Sequence, residues 1–317
     1  MQQYCVCCFL LRFLSKTNTM DFDVIIIGGS YAGLSAALAL GRAKRKILIV
    51  DGGKPCNRQT PHSHNFLTHD GDKPADISAK AKADVLKYPT VKFMDGNVDS
   101  AIRTNGGFRV TVNRMENYSA RKLLITTGLK DVFPKIKGFA ECWGISVIHC
   151  PYCHGYEVSG EKIGLLMNGD MAFEMAKNLN HWNKDLTLLT NGKSQLTFEQ
   201  TEKLRSKSIE IIETEIVELT HHNGELSDVV FADGKKLNIK AMYAKADVEQ
   251  HVDFNQQLGF GLTDFNTIKV DEQQQTTAKG VYAAEDCTTL MRSLSVITAA
   301  GTLAAVMINK EMISEDF

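Results

Sequence analysis

The segment DVIIIGGSYAGLSAALALGRAKRKILIVDGG, residues 23–53, leaves the fold little freedom. Asp23–Ile27 is a short apolar run of the kind buried on both faces in a parallel sheet. A glycine-rich turn from Gly28 to Gly33 follows at once. Leu34–Ala43 then reads as an Ala- and Leu-rich helix, and Lys46–Val50 as a second apolar strand closed by Asp51. Strand, tight turn, helix and strand in this order are a βαβ unit that binds a dinucleotide. Gly28 permits the turn, position 30 lies where backbone approaches a pyrophosphate, and Gly33 lets helix and strand pack closely. The free N–H groups and dipole of the helix N-terminus favour the anion. The candidate cofactor-binding residues are therefore Gly28, Ser30, Tyr31, Ala32 and Gly33, with Asp51 and Gly52 placed for the ribose. Ser30 departs from the usual middle glycine; it is small, and its hydroxyl can donate to phosphate.

A second stretch completes the same site. GVYAAEDCTTLMRSLSVITAAGTLAAVMIN, residues 280–309, resembles the second FAD-contact motif of flavoproteins with two dinucleotide domains. The resemblance gives Asp286 the ribityl-binding position and implies a helix over Ser295–Ile308, with Ser295 and Ala299 near the cofactor. Glu285 stands where such proteins have glycine, so its carboxylate is expected to repel the pyrophosphate or to force the turn. Leu123-Leu124-Ile125-Thr126-Thr127-Gly128 resembles the strand that closes the first FAD segment, which adds Thr127 and Gly128. The expected FAD-binding domain is discontinuous, 20–135 and 248–317. The loop Arg58–Pro74 is expected beside the flavin, with His69 and Asp70 able to touch it.

Residues 136–247 read as a second, inserted domain of nicotinamide type. Lys162–Met167, Ala172–Leu179 and Asp185–Leu189 repeat the strand, helix and strand pattern. Its binding chemistry is degenerate. The turn Met167-Asn168-Gly169-Asp170-Met171-Ala172 lacks two glycines and places Asp170 near the phosphate position. Thr190-Asn191-Gly192 ends the second strand without the basic residues an NADPH site needs or the acid an NADH site needs. NADP thus stays open as a second cofactor. The pair His221-His222 sits in the turn-like HHNGE and reads as a solvated hairpin.

Between the two units lies HCPYCHGYE, residues 149–157. A C-x-x-C here has three chemistries: haem attachment, half a zinc site, or a redox dithiol. Haem attachment needs export and an axial partner. Zinc needs further ligands, and only His149 and His154 are adjacent. A redox dithiol beside a flavin suits the position. Taken with GGSYAG, ITTG and YAAED, CWGISVIHCPYCHGYE makes the chain resemble the low-molecular-weight thioredoxin reductase-like flavoproteins from Asp21 onward. The fold that this implies is α/β, two Rossmann-like three-layer domains with the second inserted in the first. Carried over by position, Cys153 faces the flavin and Cys150 is the interchange thiol. His154 replaces the acid that follows the second cysteine in thioredoxin reductases. That variant is similar to the dithiol oxidase branch, in which electrons pass through FAD to oxygen. An imidazole can take substrate protons near neutral pH, and a protonated His154 would lower a neighbouring thiol pKa. The catalytic candidates are Cys150, Cys153 and His154. An NADPH-dependent thioredoxin reductase and a non-enzymatic redox sensor are the alternatives.

The rest of the chain agrees with this class. Of 317 residues, 44% are hydrophobic and 23% charged, with net charge −1, so nothing suggests a nucleic-acid surface. No apolar run is read as long enough to span a bilayer. Eight cysteines with scattered spacing suit a reducing cytoplasm with one working pair. Cys56, Cys142 and Cys287 read as buried or incidental thiols. Met20 is read as the natural start, or residues 1–19 as an extension, disordered or not native. The expected partners are a small dithiol or disulfide, or a thioredoxin-like protein, in a homodimer without nucleic acid, metal or membrane.

Overall fold

The first βαβ unit forms with β1 at Phe22–Ile27, α1 at Tyr31–Arg42 and β2 at Ile47–Asp51. Val24, Ile25 and Ile26 are wholly buried, each worth about 1.5–3 kcal/mol by transfer from water. The computed structural model describes residues 20–317; the first nineteen, read above as an extension, lie outside the described residues. Next come α2 (Pro74–Val85), β3 (Val91–Asp95), and a meander of β4 (Val98–Thr104), β5 (Gly107–Val112) and β6 (Glu116–Ile125). The sheet order is β3-β2-β1-β6-β5-β4. Chain order reverses at β1, which pairs in parallel with both β2 and β6. Ile27 lies opposite Val50 and Ile125, so Gly28, Asp51 and Thr126 emerge together at one carboxyl edge. A crevice outside such a switch point is where doubly wound sheets bind ligands.

The chain then leaves through β7 (Leu129–Val132) and a short α3 (Phe139–Cys142). After β8 (Val147–Ile148), α4 (Pro151–His154) carries the C-x-x-C. The second parallel unit follows as β9 (Ile163–Leu166), α5 (Gly169–Leu179), β10 (Leu186–Leu189), α6 (Phe198–Arg205) and β11 (Glu210–Ile212). An antiparallel sheet of β12 (Ile216–His222), β13 (Glu225–Phe231) and β14 (Lys236–Asn238) intervenes before β15 (Ala241–Ala244). The order β11-β10-β9-β15-β8 again reverses, at β9. His221 and His222 end β12 at a hairpin whose Asn223 and Gly224 both have positive φ. The return strand β16 (Asp247–Gln250) pairs antiparallel with β7, forming a two-stranded ribbon between the two parallel sheets.

The chain closes with α7 (Phe254–Leu258), β17 (Val281–Ala283), which pairs in parallel with β6, and α8 (Leu294–Asp316). Helix α8 is nine residues longer than the fourteen expected over Ser295–Ile308, since it runs for 23. It starts when the Ser293 hydroxyl accepts from Val296 N–H. Its far end is held by Lys122 on Glu311 and Glu315 and by Arg121 on Glu315 and Asp316. By length and composition this helix, with a mean hydropathy of 1.3, is apolar enough to cross a membrane, which corrects the reading that no such run exists. Its threonines, serines and small residues masked the run. One face, with Gly301, Ala304, Ala305 and Ile308, is buried in the fold. A Cβ on Gly301 would lie 2.2 Å from the Ala32 carbonyl oxygen, so only glycine lets α8 meet the first turn of α1.

Candidate active site

The carboxyl edge of the first sheet is a cradle. Gly28 has φ +109°, and a Cβ there would lie 2.1 Å from the Thr126 carbonyl. Thr126 Oγ1 donates to the Gly28 carbonyl at 2.7 Å, and Asp51 Oδ1 accepts from Gly29 N–H at 3.0 Å. In front of them a cavity of about 610 Å3 is lined by Gly28, Ser30, Asp51, Gly52, Thr127 and Arg114 among others. The Ser30 side chain makes no capping bond to α1. Instead Glu285 Oε2 accepts from Ala32 N–H at 3.0 Å. The carboxylate thus occupies the anion seat of the helix. Burial raises Glu285 to about 8, helped by the adjacent Asp286. Its φ of +83° and ψ of −177° fall in a region natural only to glycine.

Asp286 is equally engaged. Its Oδ1 accepts from Leu129 N–H at 2.9 Å and its Oδ2 from Arg292 Nε at 2.7 Å. Arg292 also donates to Asp131 at 2.7 Å, and Asp131 accepts from Trp143 Nε1 at 3.0 Å. This chain runs from the turn after β17, through β7, to the segment ahead of the dithiol.

Cys150 and Cys153 are joined as a disulfide, with Cα atoms 5.3 Å apart. Cys150 is the N-cap of α4 and Pro151 its first residue, a position Pro suits because its missing N–H has no helical partner. Cys153 lines a small cavity of about 100 Å3 together with His149, His154, Cys56 and Arg292; Cys150 does not. His149 stacks on Trp143 with ring centres 5.6 Å apart. Burial pushes His149 down to about 4, with Arg292 adding to it. Burial also lowers His154, opposed by Glu157. Both rings are therefore neutral at pH 7. Of the two roles read for His154, the lowered pKa suits accepting a proton better than stabilising a thiolate by charge.

Several residues fall differently from the sequence reading. The loop ahead of α2 does reach the cavity, but through His62, Ser63 and His64. His69 turns back to Asp72 at 2.8 Å, and Asp70 accepts from Asn65 N–H. His64 lies 3.5 Å from Glu157, which ties the loop to the dithiol segment. Arg292, Ser293 and Leu294 form the α8 side of the cavity, while Ser295 and Ala299 lie outside it. Cys142 and Cys287 are buried. Cys56 is not incidental. Much of the residue is exposed, yet its thiol points inward to within 3.9 Å of Asp286 Oδ2, and burial with that carboxylate raises it to about 12. Its inward thiol outweighs its exposed backbone for chemistry. Tertiary contact alone brings Cys56, His62 and Arg292 to Cys153, and no local motif marks them.

The second sheet has the matching edge but a filled seat. Asn168 Oδ1 accepts from Gly169 N–H and from Gln195 N–H, both at 2.8 Å. Asp170 accepts from Gln200 at 2.8 Å. Beyond, Thr190 Oγ1 donates to the Gly192 carbonyl at 2.6 Å and Asn191 Oδ1 accepts from Ile216 N–H at 2.7 Å. The side chains of Asn168, Asp170, Thr190 and Asn191, at the usual phosphate and ribose positions, are thus all engaged within the protein.

Comparison with known proteins decides the class. The description pyridine nucleotide-disulphide oxidoreductase matches residues 22–303. The chain belongs to that family. It is 28% identical to thioredoxin reductase tcpT of Claviceps purpurea over 95% of this chain and 97% of that one. A crystal structure of an oxidoreductase from Agrobacterium tumefaciens superposes with TM-score 0.88 at 37% identity, covering 93% of this chain and 99% of that one. A candidate thioredoxin reductase, TrxB, of Bacillus anthracis gives 0.89 at 32%, covering 93% and 100%. This flavin oxidoreductase is therefore thioredoxin reductase-like in fold and class, and its family implies FAD. The cradle fits such a group: Asp51 and the large cavity suit the ribose and adenine, and glycines clear the backbone. Glu285 alone stands against it.

Proposed function

We propose that this flavin oxidoreductase oxidises a small dithiol through the Cys150–Cys153 disulfide. FAD held in the cradle would supply the two-electron acceptor for the reduced cysteine pair, with oxygen or another acceptor as the terminal oxidant. Two electrons and two protons leave the substrate as its disulfide closes; with oxygen as acceptor they leave as hydrogen peroxide. Cys150 is the interchange thiol. A substrate thiolate attacks its sulfur and Cys153 departs as thiolate on the cofactor side, as its place in the inner cavity supports. The second substrate thiolate then attacks the first substrate sulfur in the mixed disulfide, which closes the product disulfide and releases Cys150 as thiolate. Neutral His154 accepts a substrate proton. Gly28, Ser30, Tyr31, Ala32, Gly33, Asp51, Gly52, Thr127, Gly128 and Asp286 are assigned to the cofactor cradle. Residues 20–135 and 248–317 are read as the FAD-binding domain and 136–247 as the inserted nicotinamide-type domain.

The observation that carries this reading is the Asn168 side chain in the second anion seat. With that seat closed from within, reduction by NADPH loses its docking chemistry, and a thiol donor becomes the natural source of electrons. The outer face of the dithiol helix suits a small partner. A cleft of about 350 Å3 there is lined by Tyr152, Tyr156, Trp182 and Glu157. The relative named thioredoxin reductase favours the second reading, NADPH-driven reduction of a thioredoxin-like protein. An oxygen electrode separates them. Dithiothreitol should drive oxygen uptake with one peroxide formed per disulfide, and NADPH should drive none. Reduction of thioredoxin by NADPH at comparable rates would reverse the assignment.

A further inference from the structure

Glu285 is placed as no ordinary core acid is. Its side chain crosses from the turn after β17 to the N-terminus of α1 and binds Ala32 N–H at 3.0 Å. The residue is only 6% exposed. Its backbone holds a glycine conformation, φ +83°, and no ion pair neutralises it among the described residues. The Ala32 N–H that it caps belongs to the helix N-terminus that a dinucleotide pyrophosphate uses. Carboxylate and phosphate therefore compete for one seat.

We propose that Glu285 is a proton-operated occupant of the phosphate seat: charged, it closes the α1 N-terminus against FAD, and protonated, it yields the seat. This rests on the family's implication that the chain binds FAD. The groups facing Glu285 leave it as the one that titrates. From its own turn come Asp286 and Cys287, from the α8 approach Arg292, from α1 Tyr31, and from the loop after β2 Cys56. Asp286 is locked by Arg292, whose charge is shared with Asp131. Cys56 is raised to about 12, Cys287 well above its ordinary value and Tyr31 upward. Glu285, at about 8, is left to change charge between pH 6.5 and 9.5. Two phosphate charges beside it raise it further. Binding above about pH 8 must then take up one proton, and affinity falls about tenfold per pH unit there.

The test is FAD titration of apoprotein by flavin fluorescence from pH 6.5 to 9.5, for wild type, Glu285→Gln and Glu285→Gly. Proton uptake is read by calorimetry in buffers of different ionisation enthalpy. The expected result is a wild-type Kd that is flat to about pH 8 and then rises, with uptake approaching one proton, while both variants stay flat. Tight binding by the variants with none by wild type even at pH 6.5 would overturn the proton operation, since the protonated side chain should already have yielded the seat. Wild type and both variants with parallel pH profiles would overturn it and leave the flavoprotein reading standing. No FAD binding by any of the three would overturn both.

Discussion

At Cys153 the account makes its simplest demand. Cys153→Ser leaves a thiol at position 150 but nothing able to hand electrons to the cofactor. Thiol-dependent flavin reduction in stopped flow should fall by about a thousandfold or more, as when a unit of interdependent groups loses one member. An unchanged rate would mean that another group, with Cys56 nearest to hand, carries the electrons. His154 makes a demand on pH. Burial lowers its pKa below the ordinary 6.5, so the proton-accepting neutral form persists at pH 7 and is lost only as pH falls through that lowered value. The acid limb of kcat/KM should therefore lie below pH 6.5. His154→Gln should erase that limb and cost about 10² to 10⁴ in rate. An acid limb that stays put would make the ring a structural one. Residues differ in how openly the sequence shows them. Gly28 and Asp51 were legible because their jobs follow from neighbours in the chain. Glu285 was visible as a misfit, but its target, Ala32, lies 253 positions away, and no local pattern reveals which N–H a carboxylate will find. The two roles of His154 stayed open for a related reason: sequence shows an imidazole beside a thiol, not the burial that lowers its pKa.

Among the elements, the contact between α1 and α8 decides whether a cofactor cradle exists. The first turn of α1 meets α8 at Gly301, where a Cβ would fall 2.2 Å from the Ala32 carbonyl. The same residue, Ala32, offers its N–H to the phosphate seat. Gly301→Val must push the helices apart, at a cost of about 1–3 kcal/mol from overpacking. Thermal unfolding should show a lower midpoint, and the purified protein less bound flavin. An unchanged midpoint would show that the packing tolerates a side chain. The strands and helices of both βαβ units were legible from apolar runs and glycine turns, with bounds shifted by up to three residues. The α1 helix begins at Tyr31, not Leu34, because the chain turns helical directly after the extended N-cap Ser30, within the glycine-rich turn itself. The pocket wall before α8 was not legible. Arg292 and Ser293 precede the helix and Leu294 is its first residue, and helix periodicity says nothing of residues that precede the helix.

At the scale of the whole molecule, two sheets with parallel centres and reversed strand order each present a carboxyl edge and an anion seat. Both seats are held by the protein's own side chains, one by the carboxyl group of Glu285 and one by the amide of Asn168. The first can be vacated by a proton; the second holds a side chain that does not titrate. Arg292 joins the parts, with 2.7 Å contacts to Asp286 and Asp131, and Asp131 in turn takes the Trp143 indole N–H. Arg292→Met should leave two buried carboxylates unpaired, at about 3–5 kcal/mol. Denaturant melts should show that loss together with a weaker flavin, and a stability change near zero would refute the arginine's bridging role. The most direct test of the central claim is an anaerobic titration of the yellow protein, following the flavin band, first with NADPH and then with dithiothreitol. The account predicts that NADPH leaves the band unchanged and that the dithiol bleaches it, with colour returning on admission of air. Rapid, stoichiometric bleaching by NADPH would contradict it.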